Sequence, residues 1–494
     1  MTKEALKAQC LQAIDEHQDA IIRTGQEIFS HPELGFKERR TAELVRSTFA
    51  QLRIPFRDHL AITGVRGDLK GPAPGPRGMV MGELGAGGWP LPPPADRAPS
   101  PLGPRGRPAR APGAPRGGGG VGRGRAPAPR VMVMGELDAV VCPLHPQADR
   151  ETGAAHSCGH NSQIAAMLGA AMGLAPLADQ LDGDVAFVAV PAEEYVELEY
   201  RERLQQEGQI RFFGGKQELL RQGLLDDIDM GMMIHSHAGV RDRRFLIGCD
   251  SSGFLGKLIR FTGREAHAGA RPFDGINALN AAALSLLAIN SQRETFREKD
   301  RIRVHPIITK GGDLVNIVPA DVRMETYVRG TNLEAILDAS EKVNRSLRGC
   351  AYAIGAQVDI QEMPGYLPLI QDPDLSALFA ANAETLLGAG TNIYGQELMG
   401  ATDAGDVSSL MPFIHISTGG YDGDAHSKDF TICDPEMAYV MPARAMAMTV
   451  IDLLWDGAAK ARAIRESFRP KFTRETYLQF WDRFCAGTVD RSSF

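Results

Sequence analysis

Three short apolar runs, Val131–Met134, Val185–Val190 and Met230–Ile234, each give way to polar or ionisable residues, and helical patterns separate them. That alternation predicts an α/β fold. In an open α/β sheet, ligands bind beyond the carboxyl ends of the strands. Asp138, the Glu193-Glu194 pair and His235 all fall at such ends.

A chain of 494 residues exceeds what one hydrophobic core supports, since single cores stop growing at about 250 to 300 residues. A second domain is expected at 251–364, where stretches 254–261, 302–308 and 322–328 read as strands around a helix at about 275–291. Residues 1–250 and 365–494 then form the two parts of the other domain. Residues 1–52 read as two helices separated at Ser30-His31-Pro32.

Residues 71–130 hold 15 of the 31 prolines and the run Gly117 to Gly120, with no core-forming period between 98 and 130. This marks a Pro/Arg/Gly insertion, 85–131, expected to be disordered. Its origin is visible. Met79-Val-Met-Gly-Glu-Leu84 recurs as Met132-Val-Met-Gly-Glu-Leu137, and 13 of 19 positions are identical between 79–97 and 132–150. Gly85 stands where the second copy has Asp138, so only the second copy carries the acid.

The net charge of −7 provides no global basic field for nucleic acid. The insertion is locally basic but lacks the interleaved aromatic residues that stack on bases. Seven scattered cysteines do not form a disulfide framework and point to a reducing compartment, the cytoplasm. No signal sequence or membrane span is expected.

Cys158 and His160 sit two residues apart at the mouth of an apolar helix, whose dipole favours a thiolate there. With Glu193, Glu194, His235 and His426 downstream, the chain holds what a two-metal hydrolytic site needs: a bridging ligand, terminal ligands and a base. Cys158 is the candidate bridge, with His160, Glu194, His235 and His426 as terminal ligands and Glu193 as general acid/base. His237 competes with His235, because spacing alone does not separate them. Asp138 is placed to orient His160 or to touch a metal. His267, in the second domain, is a candidate oxyanion stabiliser. Asn316 and Arg329 are candidate binders of a substrate carboxylate.

Several motifs together carry a family resemblance: His31-Pro-Glu-Leu-Gly35, Gly135-Glu-Leu-Asp138, Ser157-Cys-Gly-His-Asn161, Pro191-Ala-Glu-Glu194, Ala266-His267-Ala268, Gly312 to Pro319 and Gly423-Asp-Ala-His426. Their order resembles the metallopeptidase/amidohydrolase superfamily of aminoacylases and carboxypeptidase G-type enzymes, closest to the p-aminobenzoyl-glutamate hydrolase and aminoacylase-like dipeptidase branch. The resemblance implies a metallo-aminopeptidase-like catalytic domain with an inserted ferredoxin-like α+β lid domain, two divalent ions, zinc or manganese, and a homodimer formed through the lid. It assigns ligand roles to Cys158, His160, Glu194, His235 and His426, the base to Glu193, the lid histidine to His267 and substrate binding to Asn316. One departure lies beside the site: Ala-Val-Val-Cys-Pro follows Asp138, where the family has Ala-Leu-Pro. The expected activity is metal-dependent hydrolysis of an amide beside a free carboxylate, releasing an amino acid from an N-acyl, N-aroyl or dipeptide-like substrate. The alternative is a metal or small-molecule binding protein on the same fold.

Overall fold

The structure, a computed structural model, describes residues 1–72, 128–396, 399–485 and 490–492. Most of the insertion, and the whole first copy of the duplicated segment, lie outside the described residues.

Helices α1 (Lys3–Glu16), α2 (Gln18–Phe29) and α3 (Arg39–Gln51) open the chain. Residues 1–52 therefore form three helices where two were predicted. The extra break is at His17, which leaves helical geometry at φ −104° and ψ 5° and turns its Nδ1 onto the Ala13 carbonyl at 2.8 Å. Strands β1 (Phe56–Leu60), β2 (Gly64–Leu69) and β3 (Arg130–Glu136) follow, then the short pair β4 (Val140–Val141) and β5 (Ala154–Ala155), helix α4 (His160–Leu174) and strand β6 (Asp184–Val190). Helices α5 (Leu198–Gln206) and α6 (Gly215–Arg221) precede β7 (Met230–Ser236) and β8 (Phe245–Ile247).

The next stretch builds a separate sheet from β9 (Gly253–Thr262), α7 (Ala278–Ser291), β10 (Arg303–Val304), β11 (Ile307–Lys310), β12 (Asp321–Gly330), α8 (Leu333–Ile354) and β13 (Gln357–Met363). The single strand predicted over 302–308 is two, interrupted at His305-Pro306, where proline has no N–H to give to a ladder. The chain then returns through α9 (Pro373–Leu387), β14 (Ile393–Tyr394), α10 (Ala404–Ser408) and β15 (Phe413–Thr418). A hairpin, β16 (Tyr421–Asp422) with β17 (Thr431–Ile432), leads to α11 (Met441–Leu454), α12 (Ala459–Ser467), α13 (Arg474–Cys485) and β18 (Asp490–Ser492).

The first sheet has eight strands in the order β1-β2-β6-β3-β7-β15-β8-β14. Its centre, β6-β3-β7-β15, is parallel. β3 shows why such a strand is apolar on both faces: Val131 and Val133 join the core that contains α4 and α11, while Met132 and Met134 join the core on the opposite face. The helix Glu436–Leu454 is long and apolar enough to cross a membrane, but 94% of that stretch is buried inside the protein.

The second sheet is ordered β10-β12-β9-β13-β18, with β11 also paired to β12. Leaving out β18, the connectivity β-α-β-β-α-β is the ferredoxin-like arrangement expected of a lid. One boundary differs from the sequence reading. Residues 490–492, assigned with the catalytic part, pair with β13 at Val358↔Ser492 and Ile360↔Asp490.

Candidate metal centre

The parallel order of β6, β3, β7 and β15 aligns their carboxyl ends, and the candidate residues gather there. Asp138 follows β3, Glu193 and Glu194 follow β6, and His235 closes β7. Cys158 and His160 are brought to them by Gly159. That residue adopts φ 84° as the N-cap of α4, and a Cβ on it would sit 2.6 Å from Ser236 Cβ. Only glycine lets the helix start this close to β7. Ser236 Oγ donates to the Cys158 carbonyl at 2.6 Å, tying the two segments together. His426 arrives from the β16–β17 hairpin, with its amide donating to Ser157 O at 2.8 Å.

Two groups of potential metal donors result. Cys158, His160 and His235 form one; Cys158, Glu194 and His426 form the other. They share the cysteine, so one thiolate stands between two three-donor sets. Cys158 Sγ lies 3.4 Å from His235 Nε2, and His426 Nε2 lies 3.2 Å from Glu194 Oε1. His237 is in neither group, although it lines the same cavity. The geometry thus separates the two histidines that spacing could not. His235 turns Nδ1 onto the Ser236 carbonyl at 2.8 Å, leaving Nε2 for the thiolate side.

The residues fit divalent ions. His160 Nε2 and Glu194 Oε1 are buried without a well-formed hydrogen bond, facing Glu136 Oε2 at 3.0 Å and His426 Nε2 at 3.2 Å respectively, so each is an atom that an ion could take up. His160 bonds through Nδ1 to the Asp138 carbonyl at 2.8 Å, fixing its ring. The Asp138 side chain stands beside His160, with Oδ1 3.3 Å from Nδ1, and does a second job as well. Its Oδ2 accepts the Glu194 amide at 2.9 Å, so the acid positions the backbone of a ligand candidate, while its carbonyl orients His160. Thiolate, imidazole and carboxylate donors together suit several divalent ions.

The adjacent carboxylates have opposite electrostatics. Burial pushes Glu193 well above the usual carboxylate range, reinforced by the charges of Glu136 and Glu194. Burial also opposes charge on Glu194, but contact with His426 outweighs it and lowers the group to about 2. Environments that drive two carboxyls apart give one of them to proton transfer and the other to charge. On Cys158, burial and Glu194 disfavour the thiolate, yet His235 and His160 bring it down to about 6.

Glu136 is a site residue that sequence reasoning passed over. Its Oε2 lies 3.0 Å from His160 Nε2 and accepts from Gln163 Nε2 at 2.7 Å, and Glu136, His160 and Glu193 form a third group of converging donors. An ionisable residue closing β3 after its apolar run, two residues before Asp138, was the available signal. Buried Lys216 bridges Glu136 and Asp403, two acids from distant segments. His415, buried on β15 with its ring centroid 5.2 Å from that of His235, was also missed; burial lowers it to about 3, so it is neutral.

A cavity of about 610 Å³ opens over Cys158, Glu193, Glu194, His235 and His426. Arg329 lines it, with its guanidinium 5.1 Å from the Phe254 ring centroid and 5.4 Å from that of Tyr327. His267 and Asn316 do not line this cavity. Both are exposed on neighbouring loops of the second sheet, joined where the Ala268 amide donates to Asn316 O at 2.9 Å. His267 Nδ1 accepts the amides of Gly269 and Ala270 at 3.2 and 3.1 Å, so in the neutral ring the proton is on Nε2.

Residues 132–448 match the model of peptidase family M20/M25/M40. The chain is 28% identical to the Xaa-Arg dipeptidase of Mus musculus over 338 residues, 65% of this chain and 72% of that protein. It is 27% identical to one of the p-aminobenzoyl-glutamate hydrolase subunits of Escherichia coli (strain K12) over 242 residues, 49% of this chain and 51% of that protein. Among solved structures, a dinuclear metal-binding M20 peptidase of Bacillus subtilis aligns with a TM-score of 0.62 at 19% identity, covering 89% of this chain and 99% of that one, a likeness of fold. With the family model spanning more than half of its length, the chain belongs to peptidase family M20/M25/M40 and is a metal-dependent amide hydrolase.

Proposed function

We propose that this hydrolase releases an amino acid from an N-acyl, N-aroyl or dipeptide-like substrate that carries a free carboxylate. The observation supporting this most directly is the pair of three-donor groups sharing Cys158, set in a cavity that also holds Arg329. No hydrogen bond or ion pair joins Arg329 to an acid among the described residues, so its planar fork is open to bidentate pairing with a substrate carboxylate. The named substrates of the dipeptidase and p-aminobenzoyl-glutamate relatives share that carboxylate.

Cys158, His160 and His235 would hold one ion, and Cys158, Glu194 and His426 the other, zinc or manganese in each case. Such ions, when bound, polarise the scissile carbonyl and acidify water. Glu193 takes a proton from the attacking water and returns it to the leaving nitrogen. Arg329 anchors the carboxylate, and Asp138 keeps His160 and Glu194 in place. In a homodimer formed through the lid, His267 of one protomer donates from Nε2 to the oxyanion in the other, and Asn316 joins substrate binding there. Exposed apolar side chains on the lid support this arrangement: Leu284 and Leu287 on α7, Ile307 on β11, and Leu314 and Val315 beside Asn316. The cytoplasm is the proposed location.

The test is amino-acid release from a panel of N-acyl, N-aroyl and dipeptide substrates, after chelation and after reloading with zinc or manganese. Release restored by metal is the expected result and identifies both acyl preference and ion. Two bound ions with no release from any substrate would overturn the reading. Sedimentation of the intact chain checks the dimer; a monomer with full activity would remove His267 and Asn316 from the site.

A further inference from the structure

The chain passes between the two sheets at 252–254 and at 365–367, and these two passages lie back to back. The Phe254 amide donates to the Tyr366 carbonyl at 2.8 Å. A Cβ on Gly253 would sit 2.5 Å from Tyr366 O, and one on Gly365 would sit 2.0 Å from Phe254 O. There is no room for a side chain at either glycine, so the crossing is a fixed point between lid and catalytic sheet.

Two tyrosine hydroxyls tie that crossing to the Glu193–Glu194 loop in opposite directions. Tyr366, 3% exposed, donates from its hydroxyl to the Glu193 carbonyl at 2.7 Å. Tyr195 donates from its hydroxyl to the Pro364 carbonyl at 3.0 Å. The rings meet edge to face, with centroids 5.7 Å apart at 87°. The loop they hold is not one the backbone adopts freely: Ala192 has φ 53°, and its amide is held by Glu38 Oε1 at 2.8 Å. Asp138 holds the Glu194 amide. The peptide between Glu193 and Glu194 is thus fixed at its carbonyl by the lid crossing and at its N–H by the acid that follows the catalytic strand β3.

We propose that Tyr366 and Tyr195 are positioning residues for hydrolysis, a reciprocal clasp that sets the aim of Glu193 by anchoring its peptide to the crossing between lid and catalytic sheet. The hydroxyls act through backbone carbonyls and take no part in the bond changes. The proposal rests on the reading of Glu193 as the base. Small displacements of an aimed group are expensive in rate, with a shift of 1 Å costing on the order of 100-fold. The clasp therefore acts on kcat, whereas the Arg329 contact that anchors substrate is left intact.

The experiment measures kcat, KM, bound metal and Tm for Tyr366→Phe, Tyr195→Phe and the double variant of the metal-loaded protein. The phenylalanines keep the ring packing and remove only the hydroxyls. Tyr366→Phe is expected to lower kcat by about 10-fold or more, with KM and two-ion content unchanged. The double variant is expected to lose less than the product of the single losses, because both hydroxyls restrain one loop. Wild-type kcat in Tyr366→Phe, or a fall matched by loss of bound metal, overturns the clasp. If Tyr366→Phe does not fold, Tyr195→Phe carries the same test. Glu193→Gln, run alongside, separates the two failures: its full activity refutes the base, whereas an inactive Glu193→Gln beside a fully active Tyr366→Phe refutes the clasp alone.

Discussion

Lys216 Nζ lies 2.5 Å from Glu136 Oε1, and both side chains are fully buried. The ammonium also meets Asp403 Oδ1 at 2.5 Å, so one cation compensates two acids behind His160. Removing one member of a buried ion pair leaves an uncompensated charge. Lys216→Met is accordingly expected to destabilise the chain by about 3 to 5 kcal/mol. Urea unfolding of the variant checks this, and a midpoint equal to that of the parent would show that the triad adds no net stability.

Glu193→Gln keeps the size and burial of the side chain and removes its ability to accept a proton. Turnover is expected to fall by about 10² to 10⁴, with metal content retained. Metal analysis and single-turnover rates on one preparation separate this result from loss of an ion. Substantial residual turnover assigns the base elsewhere.

The histidines at the two sites differ in kind. His426, 3.2 Å from Glu194 Oε1, belongs to a donor group, whereas His237 lines the cavity outside both groups. His426→Ala is expected to lower metal occupancy toward one ion per chain, and His237→Ala to keep two. Equilibrium dialysis reads the stoichiometry directly, and a fully loaded His426→Ala would show the ligand set to be wrong.

Asp406 anchors the C-terminal helix, accepting from Tyr477 OH at 2.8 Å and Trp481 Nε1 at 3.1 Å. Burial raises it from 3.8 to about 7, against the hydrogen bonds from Tyr477 and Gln217 that favour its charge. The folded chain thus binds this proton more tightly than the unfolded chain. Its contribution to stability is fully present below the unfolded value and is lost as pH rises through the folded one. Asp406→Asn removes the titration, so the decline in stability between about pH 5 and about pH 8 is expected to be shallower in the variant. Parallel urea titrations at the two pH values test this; identical slopes would assign the decline to other groups.

The donor residues were legible because each belongs to a short local motif. Cys158 and His160 open an apolar helix, Glu193 and Glu194 follow a strand, and the strand and helix patterns in 251–364 marked a βαβ-rich insert whose ferredoxin-like order the family resemblance implied. Glu136 and Lys216 were missed for the opposite reason: they are meaningful only as partners, 80 residues apart in sequence, and neither pattern hints at the other. The choice between His235 and His237 was closed to spacing for a similar reason. It depends on where β7 ends relative to Cys158, which Gly159 and Ser236 set by close approach.

The sequence by itself determined the α/β class, through the family motifs the lid insertion, and the candidate donors with the adjacent carboxylates at 193 and 194, because periodicity and short motifs are properties of neighbours along the chain. Tertiary structure alone decided how the candidate donors converge in two groups sharing Cys158, which histidine lies among them, that Lys216 lies behind His160, and that Tyr366 reaches Glu193. Those are distances between segments far apart in sequence, fixed by strand order and by glycines that permit backbones to touch.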